Sequence, residues 1–247
     1  MALLPAHRTK HQPLLVWPPF RLAQSDDGAA NGTALWLGAQ CLAAYLASLP
    51  AAPGVLLELG SGIGLTALVM SSLRWHVLAT DIPPVIASVL APNIQNNLGR
   101  LPPASGSIQV RELDWTVPPD DWTWDHPSAV ASPSASLPSS DAGLLRPPFD
   151  LICTADTVYD ASLVQPLLRT LHALCIASTA TRTPPVYLCL ERRDPALVDR
   201  CLSDARHTWG FHVQQIPRRK LAKAMHKAGM NWPREDWEGI EIWKFTL

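Results

Sequence analysis

Glu58-Leu59-Gly60-Ser61-Gly62-Ile63-Gly64 joins one carboxylate to three glycines at alternate positions. Glycines so placed let a backbone approach a ligand closely and adopt positive φ, and amides at a helix start just after them can meet a carboxylate or phosphate. The pattern is G-x-G-x-G with an acid two positions before the first glycine, not the G-x-G-x-x-G of a dinucleotide site. A pyrophosphate needs surroundings free of negative charge, whereas a ligand whose tail carries an ammonium beside its carboxylate can use Glu58. Asp81, 21 residues after Gly60, supplies a carboxylate able to accept both hydroxyls of a ribose. A second grouping is Asp156-Thr157-Val158-Tyr159. There a carboxylate can hold a cation, and three residues on an aromatic ring offers its face and its hydroxyl.

These groups act together only if strands deliver them to one edge. Val55 to Leu59 is a short apolar run before the glycines, and Leu65 to Leu73 has the pattern of a helix. Trp75 to Ala79 leads to Asp81, with a helix expected from Pro83-Pro84 to Asn97. Ile108 to Leu113 alternates like a strand, Phe149 to Ala155 reads as a buried strand ending at Asp156, and Ser162 to Ala177 as the helix behind it. Pro185 to Leu190 and Ala196 to Arg206 form one more strand and helix. Phe211 to Ile216 and Ile240 to Phe245 then close the chain as two strands with no clear helix between them. A helix over Ala34 to Leu49 precedes them all. The alternation predicts an α/β, Rossmann-like, mostly parallel sheet with an antiparallel C-terminal edge strand. Such sheets bind ligands beyond the carboxyl ends of their strands, and the first βα turn, Glu58 to Gly64, is the usual place.

At 247 residues the chain suits one such domain. We read an N-terminal extension over 1–32, the domain over 33–247, and a Pro/Ser-rich insertion at about 116–148, expected to be a flexible surface spacer. The formal net charge of −1 provides no global field for polyanions, so neither nucleic acid nor membrane is an expected partner. Five cysteines without a C-x-x-C pair fit buried thiols in a reducing compartment, and no metal site is expected. The N-terminus reads as a poor signal peptide and no stretch is long and apolar enough to span a bilayer, so a cytoplasmic or nuclear location is expected. Arg218, Arg219, Lys220, Lys223 and Lys227 read as a solvated helix face.

From about Thr33 onward the chain resembles the family 16 protein methyltransferases, mainly lysine-specific enzymes of the seven-strand class I fold. The resemblance rests on Trp36, Glu58 to Gly64, Asp81, Asn93 with Asn97, Leu113-Asp114-Trp115, Ala155-Asp156-Thr157-Val158-Tyr159 and the closing Ile240-Glu241-Ile242-Trp243. It implies S-adenosyl-L-methionine as cofactor, with Trp36, Gly60, Ser61, Gly62, Asp81, Trp115 and Ala155 in contact with it. From the residues themselves, Glu58 would serve the ammonium, and Asp114 with Trp115 would flank the adenine. Asp156 would capture and orient an incoming ammonium, and Tyr159 would wall a narrow channel. The expected activity is methylation of a lysine on a protein substrate by a monomer. Arginine, histidine or a small amine as acceptor, and a non-catalytic scaffold, remain alternatives.

Overall fold

Apolar runs too short for helices become strands of one sheet, and the longer periodic runs cover its two faces. The computed structural model describes residues 3–25, 31–50, 52–133, 143–179 and 182–247. A hairpin of β1 (Leu14–Trp17) and β2 (Phe20–Ala23) comes first, followed by α1 (Leu37–Ala47). The chain continues through β3 (Val55–Leu59), α2 (Leu65–Ser72), β4 (His76–Asp81), α3 (Pro83–Val85), a π-wound turn Ile86–Leu90 and α4 (Ala91–Asn97). Then follow β5 (Ile108–Leu113), β6 (Ala129–Ala131), β7 (Leu151–Ala155), α5 (Ala161–Ala177), β8 (Val186–Glu191), α6 (Pro195–His207), β9 (His212–Gln215), α7 (Arg218–Lys227) and β10 (Ile240–Thr246).

The main sheet has eight strands in the order β6-β5-β4-β3-β7-β8-β10-β9. All neighbours pair in parallel from β6 to β8, whereas β10 is antiparallel to both β8 and β9. Two expectations are thereby corrected. The sheet gains β6 beyond the seven strands, and the C-terminal strand lies one place in from the edge, because β9 pairs outside it and α7 supplies the crossover that the basic run had concealed. The order reverses between β3 and β7, which opens a cleft at their carboxyl ends.

Strand alternation divides the core. Leu56, Val77, Ala79, Tyr187 and Cys189 face a cluster with α1, α2, α4 and α7. Leu57, Leu78, Val186, Leu188 and Leu190 face the opposite cluster with α5 and α6, as period-2 side chains on a doubly covered sheet must. α1 is buried along nearly its whole length, as a helix apolar on all sides should be. All five cysteines are buried and unpaired. No helix among the described residues is long and apolar enough to cross a membrane.

The described parts of the insertion depart from the spacer reading. Val130 and Ala131 are buried in β6, and Trp124 packs on Phe149. Arg111, 0% exposed, donates to the carbonyls of Trp124 and Leu145, and Gln109 pairs with Gly143 and Leu145. One strand of the sheet therefore clamps both ends of the insertion. Residues 134–142 lie outside the described ones.

The N-terminal hairpin is tied down by two asparagines one helical turn apart on α4. Asn93 accepts from the Ala23 amide at 2.7 Å and donates to the carbonyls of Ala23 (2.8 Å) and Ile63 (3.0 Å). Asn97 does the same for Arg21, at 2.9 and 2.7 Å. The two side-chain amides thus mimic a neighbouring strand, and Asn93 couples the hairpin to the glycine loop. Replacing Asn93 by Ala should cost roughly 1–3 kcal/mol for each buried backbone group left without a partner. Urea denaturation of Asn93→Ala should show the loss as a lower midpoint. An unchanged midpoint would mean that apolar packing alone holds the hairpin.

Candidate active site

β3 ends in a loop whose backbone favours glycine at three points: φ is +65° at Gly60, +53° at Gly62 and +86° at Gly64. Gly60 also has no room for more. A Cβ there would come within 2.9 Å of Thr157 Cγ2 and 3.4 Å of the Trp115 ring. β4 fastens the loop from beside. The Ser61 amide donates to the Thr80 carbonyl at 2.9 Å, the Thr80 amide to Ser61 Oγ at 3.1 Å, and the Thr80 hydroxyl to the Glu58 carbonyl at 2.7 Å. Asp81 completes the closure, accepting from Gly62 at 2.8 Å and from Ile82 at 2.9 Å.

Beyond the strand ends lies a cavity of about 280 Å³. Trp36, Glu58, Gly60, Ser61, Gly62, Asp81, Trp115, Ala155, Asp156 and Tyr159 all line it. Asp114 does not, because its Oδ1 accepts from the Thr116 amide (2.8 Å) and hydroxyl (2.7 Å). That carboxylate shapes the turn after β5. Trp36 sits at the N-cap of α1 instead of within a helix, with its indole donating to the Asn31 carbonyl at 2.6 Å. Trp115 is steadied through its carbonyl, which accepts from Arg169 at 2.8 Å.

Glu58 is 2% exposed, and its Oε2 has no hydrogen-bond partner among the described residues. Burial pushes its carboxyl up to about 8, with the nearby Thr66 and Ser61 hydroxyls pulling the other way. Burial likewise raises Asp81 to about 6, opposed by the Gly62 and Ile82 amides. Across the cavity Asp156 adopts a left-handed φ of +55°, and a Cβ on Gly38 would run into its carboxylate. Burial raises it to about 6, with the Arg193 charge and backbone hydrogen bonds from Gly38 and Glu191 holding it down. Its Oδ2 also lacks a partner among the described residues. Tyr159 stands at the mouth, 52% exposed.

The sequence reading missed the far wall. Asn31 and Gly32 cross the cavity near Gly62 and Val85, and Glu191, Arg193 and Asp194 follow β8 along its rim. The rule that ligands bind at strand carboxyl ends would have pointed to Glu191. For Asn31 no local signal existed, since its place depends on the distant asparagine clamp. An orphaned buried carboxylate, a loop bared at three glycines and a second carboxylate at the neighbouring strand end suit an adenosyl ligand with an ammonium-bearing tail. The donor set therefore fits the implied cofactor.

Glu58 makes the fold itself sensitive to pH. Its carboxyl ionises near 4.5 when unfolded and near 8 when folded, so between those values the folded chain keeps a proton that the unfolded chain has lost. The stabilisation is complete below about 4.5 and is lost as pH rises to about 8. Glu58→Gln keeps a hydrogen-bonding amide but cannot ionise. Its melting temperature should therefore gain on the wild type as pH rises from 5 to 8 and hold a constant lead above that, worth a few kcal/mol. A lead independent of pH would exclude a titrating Glu58. Asp156 titrates in both proteins and cancels.

A family model described as lysine methyltransferase matches residues 20–128. The protein-lysine methyltransferase METTL21E of Bos taurus is 34% identical over 125 residues, 50% of this chain and 35% of that protein. Its Mus musculus counterpart is 31% identical over 131 residues, with 50% and 41% covered. The chain thus spans well under two thirds of the length of these relatives. Among solved structures, the T. thermophilus 16S rRNA N2 G1207 methyltransferase, in complex with AdoMet and guanosine, aligns at a TM-score of 0.50 and 13% identity, covering 98% of this chain and 46% of that one. A Streptococcus mutans protein assigned as a SAM-dependent methyltransferase aligns at 0.51 and 9% identity, with 95% and 55% covered. At such identities these two structures speak for the fold alone.

Proposed function

We propose that this chain, whose residues 20–128 match a family model described as lysine methyltransferase, is a member of that family that binds S-adenosyl-L-methionine and methylates a lysine side chain of a protein. The observation that carries this reading is one cavity holding the partnerless Glu58 and the loop-bound Asp81 at one end and Asp156 with Tyr159 at its mouth. When bound, the cofactor supplies an electrophilic methyl group on a positively charged sulfur.

Every other contribution belongs to the protein. Glu58 offers a buried carboxylate to the cofactor's ammonium, and Asp81 a carboxylate to its ribose. Gly60 leaves room beside the Trp115 ring for a flat base. Asp156 is the carboxylate that would receive the acceptor's ammonium, its buried Oδ2 having no other partner among the described residues. A lysine amine with a reference pKa near 10.4 needs about 4.6 kcal/mol to present a neutral lone pair at pH 7. A carboxylate alone makes that harder, since it favours the cation. Asp156 therefore serves to capture and align the amine, not to act as a strong base. Tyr159 narrows the approach, and alignment of nucleophile, carbon and leaving group does the rest. A cytosolic or nuclear monomer with no nucleic-acid partner is the matching expectation, the five buried thiols suiting a reducing compartment.

Calorimetry with the cofactor and its demethylated product should give binding for the wild type and none for Gly60→Val, whose side chain meets Thr157 and Trp115. With tritiated cofactor, a lysate protein band should become labelled at lysine. Asp156→Ala should bind the cofactor normally yet transfer methyl groups on the order of a hundredfold more slowly. Full turnover by Asp156→Ala would remove its assigned role, label on arginine, histidine or small molecules would redirect the acceptor, and no heat from verified folded protein would end the reading.

A further inference from the structure

α7 carries five of the chain's 20 lysines and arginines, Arg218, Arg219, Lys220, Lys223 and Lys227, and none of its 21 acids. Everything outside this helix therefore holds six more acids than bases, and a net charge close to zero conceals two opposed regions. All five cations and His226 are exposed, while Leu221, Ala224 and Met225 are buried. Met225 Sδ lies 4.0 Å from Cys41 Sγ on α1, so the apolar side faces the core and the charged side faces out. None of the five cations pairs with a carboxylate among the described residues. Arg218, Arg219 and Lys220 moreover occupy the first turn, where the helix dipole disfavours cations, and no side chain caps that end. Helix stability does not account for this placement.

The helix starts on the side of the sheet where the cavity opens. β9 runs parallel to β8, because both are antiparallel to β10, so Arg218, three residues after β9, stands at the carboxyl end of the parallel strands. Its guanidinium donates to the Glu238 carbonyl, and its Cζ lies 5.7 Å from the centroid of the Trp237 ring. Two residues after Glu238, Ile240 pairs with the cavity residue Glu191. Glu235 and Asp236, beside Trp237, line a second cavity of about 320 Å³ that shares Leu35, Trp36, Glu191 and Arg193 with the first. This second space therefore bridges the interval between the mouth at Trp36 and the beginning of α7.

We propose that the exposed face of α7 docks an acidic segment of the acceptor protein while a lysine of that protein enters the first cavity. The inference rests on the methyltransferase reading above. The two regions favour opposite charges: Asp81, Asp156, Glu191 and Asp194 line the cavity and attract a lysine, whereas the helix attracts acids. A protein surface can present both at once. A nucleic acid offers negative charge throughout, so the acidic mouth would repel the strand that the helix drew in. The cationic face is also short, since ten residues of helix span roughly 15 Å. Nor has α7 apolar side chains to bury in a bilayer, because Leu221, Ala224 and Met225 are buried in the core. Charges so placed act chiefly on the rate of encounter and on the choice of partner.

The test uses the full chain in three forms: wild type, a variant combining Arg219→Gln, Lys220→Gln, Lys223→Gln and Lys227→Gln, and a control combining Arg21→Gln, Arg100→Gln and Arg182→Gln, whose cations are exposed and scattered. Arg218 is kept for its bond to Glu238. Each should melt cooperatively, the α7 variant no lower than wild type, since its first turn no longer opposes the dipole. In fluorescence anisotropy with a labelled polyglutamate peptide at about 50 mM salt, the α7 variant should bind about tenfold more weakly than wild type and the control within about twofold. No binding by wild type, or an equal loss in the control, overturns the inference. Tighter binding of a DNA strand of equal charge, or of phosphatidylserine vesicles, gives the face to another partner and overturns it too. With tritiated cofactor and total lysate protein, the α7 variant should bind cofactor normally yet label protein about tenfold more slowly at low salt, the gap closing by about 300 mM. Equal labelling at low salt severs the helix from the acceptor. If the wild type binds cofactor but labels nothing, the lysine methyltransferase reading fails, and the peptide titration still decides what α7 binds.

Discussion

The glycine loop cannot hold its shape alone. Three residues with positive φ in five positions would leave the chain after β3 free to wander, and β4 prevents this through Thr80 and Asp81, which bind Ser61, Glu58 and Gly62 in four short hydrogen bonds. Parallel register places those partners opposite one another, since Leu59 pairs with Thr80. The same bonds fix two carboxylates near one cavity and bury them. Much of the cavity's chemistry follows from that pairing: the backbone is laid bare, Asp81 is held by the loop it closes, and Glu58 is sealed beneath with an oxygen unused.

The opposite wall depends on a different device. Asp156 leaves β7 in a left-handed conformation and meets the start of α1, where the absence of a side chain on Gly38 leaves room for its carboxylate. α1 is in turn pinned from the N-terminal side: Gln40 accepts from the Ala6 amide at 2.8 Å and donates to the Leu4 carbonyl at 2.9 Å. The hairpin that follows is bound by Asn93 and Asn97 on the helical stretch from the cofactor side. Residues far apart in the chain thus hold the two walls at a set distance, and the N-terminal hairpin belongs to the same apolar cluster as the sheet.

What could be read from the sequence was local. β3, β5 and the bounds of α5 and α6 came within a residue or two, because each is an apolar run closed by glycine, proline or a capping aspartate; Asp160 and Asp194 do cap their helices. The glycine turn and the position of Asp81 follow from spacing for the same reason. The errors share a cause of the opposite kind. β6 is held by backbone pairing with β5 that no local pattern announces, α7 was hidden because its exposed face is a run of cations, and the place of β10 is decided by pairing with two strands at once. Asp114 lies outside the cavity lining, and its Oδ1 serves the turn to Thr116, which no linear reading displays. Arg193 escaped notice since its place at the cavity rim depends on a ring at position 36.

Charge balance then links the parts. Burial raises Glu58, Asp81 and Asp156 alike, so the protein without its ligand holds carboxyls that would ionise more readily if cations were brought in. Desolvation disfavours each charge singly, and an opposite charge nearby reverses that preference. A ligand with an ammonium at one end and a sulfonium near its middle would answer Glu58 at the glycine loop and bring a second positive charge toward the mouth. An acceptor ammonium would then arrive between that sulfonium and the Asp156 carboxylate, where the carboxylate favours its alignment and the sulfonium disfavours its charge. Binding the donor and preparing the nucleophile thus become two consequences of the same buried acidity.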